Sequence, residues 1–116
     1  MINRAAVILV YKKPALDWVN ESDPSGKNPG MTIESINEDN TVYLIRPEEA
    51  DTPDALNQWI KLNYKILFEN ELESWYMDDR LWPQKRTLKM FREWFKVEWH
   101  SVIEDTVGDP IGDDES

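Results

Sequence analysis

Apolar positions fall along this chain in two textures, continuous runs and helical spacings. Residues 5–11, AAVILVY, are apolar without alternation and rich in β-branched side chains. That is the pattern of a strand buried on both faces and central in its sheet. TVYLIRP, 41–47, is a second strand closed by Pro47, and VEWHSVI, 97–103, returns to strand composition. Between them the spacing turns helical. PALDWVNES predicts a short helix opened by Pro14, followed by a Pro- and Gly-rich loop over 22–30. MTIESINEDN, 31–40, fits either one helical turn capped by Thr32 or a strand paired with the next; the helical turn is preferred. The clearest helix has Thr52 as N-cap, Pro53 as first residue, and Leu56, Ile60, Tyr64 and Leu67 at helical spacing. MDDRLW interrupts it, and a further helix is predicted from Pro83 with Leu88, Phe91, Trp94 and Phe95 on its apolar face.

Helical connections between strands favour parallel neighbours and right-handed crossovers. The expectation is an α/β fold, a small three-stranded, mainly parallel sheet with strand 5–11 central and three to four helices packed on it. The alternative is an α+β fold with the helices on one face. Residues 1–103 read as one globular domain, and 104–116 as an acidic tail that frays.

Composition narrows the function classes. A chain of 116 residues suits one core, and 41% hydrophobic with 31% charged residues describes a globular body. A net charge of −10 opposes nucleic acid and anionic lipid as partners and favours a protein partner with a basic surface. The absence of cysteine excludes disulfides and thiolate chemistry. The first apolar run is too short for a membrane span and is followed by two lysines, so a cytoplasmic protein is expected.

Two groups of residues invite a chemical reading. On a wheel at about 100° per residue, Glu71 falls among Leu56, Ile60, Leu67 and Trp75. A carboxylate aimed at apolar neighbours must be answered, by Arg80, Arg86 or Arg92 or by taking a proton. Functionally, Glu71 would be a general acid/base or an anchor in a pocket lined by Trp75, Trp82 and His100, with Arg86 as a further candidate. Structurally, it would be a buried ion pair fixing two helices, or it would be wet if the helix bends before it. The acidic cluster Glu69, Glu71, Glu73, Asp78 and Asp79 does not have calcium-loop spacing, and neither metal nor cofactor is expected.

The second group is basic. Lys85, Lys89, Arg92 and Lys96 stand at i, i+4, i+7 and i+11 and would line one face of the helix predicted from Pro83. They form either a contact line for an anionic partner or a solvated face. His100, the single histidine, alternates with Trp99 in a predicted strand. The six tryptophans are spread over every element, which suits a shared core; Trp75 and Trp82 flank the MDDRL break and would make an interface pair if exposed.

FENELESWYMDDRLWPQKRTLKMFREWF, 68–95, resembles a small family of uncharacterised bacterial proteins. Phe68, Glu71, Leu72, Trp75, Asp78, Trp82, Pro83, Arg86, Phe91 and Phe95 carry the likeness, with TVYLI upstream. The resemblance implies no activity, cofactor or partner; it marks Glu71, Asp78 and Arg86 for testing together. The leading expectation is therefore a non-enzymatic protein-binding or regulatory module acting through acidic surface and exposed aromatics. The alternative is a small enzyme or ligand-binding protein with a Trp-lined pocket around Glu71.

Overall fold

The structure is a computed structural model and describes residues 2–112. Its elements are β1 (Ala5–Tyr11), α1 (Lys13–Glu21), α2 (Ile33–Ile36), β2 (Val42–Ile45), α3 (Pro53–Trp75), α4 (Leu88–Trp94) and β3 (Phe95–His100). Short 3-10 turns occupy Pro47–Ala50 and Asp79–Leu81. Local chemistry sets several of the helix starts. Thr52 Oγ1 accepts from the Ala55 amide with Pro53 just inside α3, and Thr87 Oγ1 accepts from the Met90 amide at the start of α4. Thr32 and Ser35 cap each other reciprocally around α2, which settles the 31–40 segment as a helical turn.

The sheet order is β2-β1-β3, with β1 central and both pairings antiparallel. The mainly parallel α/β sheet expected from the helical connections is therefore wrong. The chain path gives the reason. After α1 the chain doubles back, and Asn37 bonds both backbone groups of Tyr11, the end of β1 that it had left. β2 therefore runs back alongside β1. From the far end, where Ile45 lies opposite Ala5, α3 carries the chain the length of the sheet. β3 then starts at Phe95, again opposite Tyr11. The helical crossover does make β2 and β3 point the same way, but β1 lies between them in the opposite sense.

The helices gather on one face. Ala5, Val7, Leu9 and Tyr11 point into the core, whereas Ile8 and Val10 on the other face are only half-buried. Phe68 from α3 sits at the centre, its ring 5.9 Å from Phe91, 5.2 Å from Trp94 and 5.5 Å from Phe95. Edge and tilted contacts of this kind add to the burial of the rings themselves. Ile2 N–H donates to the Ile103 carbonyl at 2.8 Å, tying the start of the chain to the segment after β3. Of the segment expected to fray, residues 113–116 lie outside the described residues. Among the described residues, no helix is long and apolar enough to cross a membrane.

The helix predicted from Pro83 is shorter than expected. Residues 83–87 are irregular, and the chain turns extended at Phe95. The four basic residues thus lie on three kinds of backbone: Lys85 before α4, Lys89 and Arg92 on it, Lys96 in β3. They do not form a helical stripe. The wheel assumed regular backbone from 85 to 96, and a seven-residue helix does not supply it.

Candidate functional site

α3 stays regular through Trp75, so the wheel that aims Glu71 inward holds. Glu71 is 5% exposed and, among the described residues, is the buried polar residue of the core. Its compensation is not the guanidinium expected from sequence. Tyr11 on β1 donates its hydroxyl to Oε1 at 2.8 Å, and Tyr43 on β2 donates a short hydrogen bond to Oε2. Each phenol oxygen is itself engaged by an N–H. Trp75 Nε1 donates to Tyr11 at 2.9 Å, and Asn70 Nδ2 donates to Tyr43 at 2.8 Å. A phenol has one proton, and here its direction is toward the acid. Glu71 therefore accepts on both oxygens, the pattern of a carboxylate, and the network Trp75–Tyr11–Glu71–Tyr43–Asn70 joins β1, β2 and α3. No buried side-chain polar atom among the described residues lacks a partner.

The arrangement shifts both phenols. Burial, then the charge and hydrogen bond of Glu71, push Tyr11 far above the ordinary tyrosine range. Tyr43 is pushed up by burial first and then by its bond to Glu71. Both effects favour the neutral phenol, since a phenolate would be poorly solvated and would face a carboxylate.

Beside this network lies a crevice lined by Tyr11, Ala15, Trp18, Glu71, Leu72, Trp94 and Phe95. Its empty volume is about 150 Å³, and it is too narrow to admit a water molecule. Trp18 forms one wall, held by a bond from Nε1 to the Leu81 carbonyl at 3.0 Å and by edge contact with Tyr76, ring centroids 5.3 Å apart. At the outer end of the network, Asn70 borders an open surface depression of about 290 Å³ with Glu73, Ser74 and Met77.

The other residues singled out in the sequence are dispersed. Arg86 pairs with Glu69 at 2.8 Å, donates to the Pro83 carbonyl, and lies 5.8 Å from the centre of the Trp82 ring. Trp82 is half-buried, its indole bonded to the Tyr76 carbonyl at 2.8 Å, and Trp75 is half-buried against the core. Asp78 chelates Arg80 rather than joining Glu71 or Arg86. His100 pairs with Ala6, on the opposite face from Tyr11 and Glu71. Five residues of strand separate it from Phe95 beside Tyr11, roughly 17 Å. Lys85, Lys89 and Arg92 are exposed, with Arg92 reaching Asn57 at 3.4 Å. Glu71, Arg86 and His100 are thus not brought together. Among the described residues, no cluster of three His, Cys, Asp or Glu side chains is placed to hold a metal ion.

Tyr11 and Tyr43 are the partners of Glu71 that the sequence did not announce. Both tyrosines end or interrupt apolar strand runs, where a phenol reads as bulk. The usable signal was parity: Tyr43 and Ile45 share one face of β2, and Tyr11 shares a face with Val7 and Leu9. No family model, curated protein or solved structure matches this chain.

Proposed function

We propose that this protein is a small ligand-binding domain whose site is the aromatic crevice over Glu71, and that its ligand is a small organic ammonium ion. One observation carries the reading: a buried carboxylate answered by two neutral phenols and, among the described residues, by no cation, beside Trp18, Trp94, Tyr11 and Phe95. Phenol donors satisfy the lone pairs of the acid but leave its charge in place. A ring-lined space with one uncompensated negative charge is the complement of an alkylammonium group, which draws on both cation–π and ionic attraction. The acidic-surface binding module expected from net charge has no comparably built feature behind it. Admission of a ligand requires Trp18 to swing away from the Leu81 carbonyl, so the segment 76–82 moves with binding.

The test is titration of the full chain with methylammonium and tetramethylammonium chloride, against sodium chloride at equal ionic strength. Tryptophan fluorescence and the indole N–H resonances of Trp18 and Trp94 report binding. Saturable change in the wild type, weakened at least tenfold in Glu71→Gln while the fold persists, supports the reading. A second reading makes Glu71 a purely structural tie between β1, β2 and α3, and the narrowness of the crevice favours it. Under that reading the ammonium salts produce no saturable change beyond that of sodium.

A further inference from the structure

The two edges of the sheet are differently protected. β3 presents Lys96, Glu98 and His100 at successive positions of the open face, and charge of this kind discourages pairing with another strand. β2 has no such guard. Val42, Tyr43, Leu44 and Ile45 include no charge, proline or glycine, and the register from Ala5↔Ile45 to Ile8↔Val42 runs without a bulge. In an antiparallel ladder, alternate residues of an edge strand turn N–H and C=O outward. No backbone group among the described residues bonds the outer side of β2.

Apolar surface frames this edge on both sides. On the open face, Val42 and Leu44 are 54% and 53% exposed. On the covered side, the bond from Asn70 to Tyr43 fixes which flank of α3 runs along β2. Ile66, Asn63 and Trp59 precede Asn70 on that flank at four, seven and eleven residues, with Leu62 beside Ile66. Ile66 is 70% and Leu62 72% exposed, unusual for large aliphatic side chains on a helix that already buries another face. A strand laid on β2 would cover Val42 and Leu44 with one set of side chains and Ile66 with the other.

Charge selects the occupant. Glu38 and Asp39 precede β2, Arg46 follows it directly, and none of the three has an ion pair among the described residues. Antiparallel pairing of β2 with itself sets Arg46 of each copy beside the acidic turn of the other, and two-fold symmetry makes the contact twice. We infer that β2 is the interface of a homodimer, in which a second copy adds its own β2 antiparallel and the two sheets become one. The strand is short, so the buried area falls at the low end for specific interfaces and association is concentration-dependent.

Sedimentation equilibrium of the full chain, from about 5 to about 500 µM, spans the weak range such an area implies. A monomer–dimer equilibrium is expected. Leu44→Lys, on an exposed position, weakens it at least tenfold. Arg46→Glu weakens it as well, and Arg46→Glu combined with Glu38→Lys and Asp39→Lys restores it. Lys96→Ala on β3 leaves it unchanged, and far-UV circular dichroism verifies that each variant is folded. A monomer throughout the range overturns the inference and leaves the β2 edge to a strand of some other protein. A dimer indifferent to Leu44→Lys and to the charge reversals, or one sensitive to Lys96→Ala instead, overturns it equally.

Discussion

At the scale of single residues, Glu71 shows how a buried acid can be held without a salt bridge. Two hydrogen bonds to a charged acceptor are each worth about 1.5–3 kcal/mol, partly offset by desolvation of the carboxylate. Glu71→Ala removes both and strands the protons of Tyr11 and Tyr43 in the core. A loss of about 2–4 kcal/mol in urea-unfolding free energy is expected. Glu71→Gln is milder, because its carbonyl serves one phenol while its amide presents hydrogens to the other; about 1–2 kcal/mol follows from one stranded donor. A loss below about 1 kcal/mol for the alanine variant would contradict the network as a source of stability. The inward aim of position 71 was legible because it depends only on helical spacing within α3. Its partners were not, since Tyr11 is 60 residues away and Tyr43 is 28 residues away. Arginine was the expected answer because several lie nearby in sequence, but Arg86 is drawn to Glu69, two residues earlier on the exposed side of α3.

At the scale of elements, the ends were easier to read than the directions. Caps at Thr52 and Thr32 are local chemistry, and the sequence states them. Strand direction depends on where a connection returns, and a side chain in the loop decides that here. Asn37 accepts from the Tyr11 amide at 2.8 Å and donates to the Tyr11 carbonyl at 3.1 Å, and it also donates to the Ile33 carbonyl at 2.9 Å. It thereby fastens α2 to the end of β1 and starts β2 on its way back. Asn37→Ala should cost about 1–2 kcal/mol, by the net worth of the bonds lost. It should also raise the hydrogen-exchange rate of the Tyr11 amide well above those of Val7 and Leu9, deeper in the strand. Unchanged exchange at Tyr11 would show that pairing with β3 alone secures that end. The helical stripe expected at 85–96 failed for a related reason: periodicity reports helical potential, whereas Phe95 is claimed by pairing with Tyr11.

At the scale of the whole molecule, the neutral phenols link the fold to pH. Burial is the largest cause of the upward shift in Tyr11, Tyr43 and Tyr76, followed by Glu71 for the first two and Asp23 for the third. Phenols in an unfolded chain ionise near about 10. A group whose folded value is raised binds more protons in the native state over the window above that. Its contribution is complete below about pH 10 and is lost progressively as pH rises beyond it. The net charge of −10 is already self-repelling, and each phenolate formed on unfolding separates further in the expanded chain. Urea midpoints should therefore hold between about pH 8 and about pH 10 and fall steeply above. The phenolate absorbance of Tyr11 and Tyr43 should appear together with the loss of far-UV circular dichroism, not before it. The double variant Tyr11→Phe, Tyr43→Phe separates the causes: it starts less stable but declines more gently with alkali, because two of the protons that drive the linkage are gone. If wild type and double variant decline in parallel, the phenols around Glu71 are not what the pH acts on.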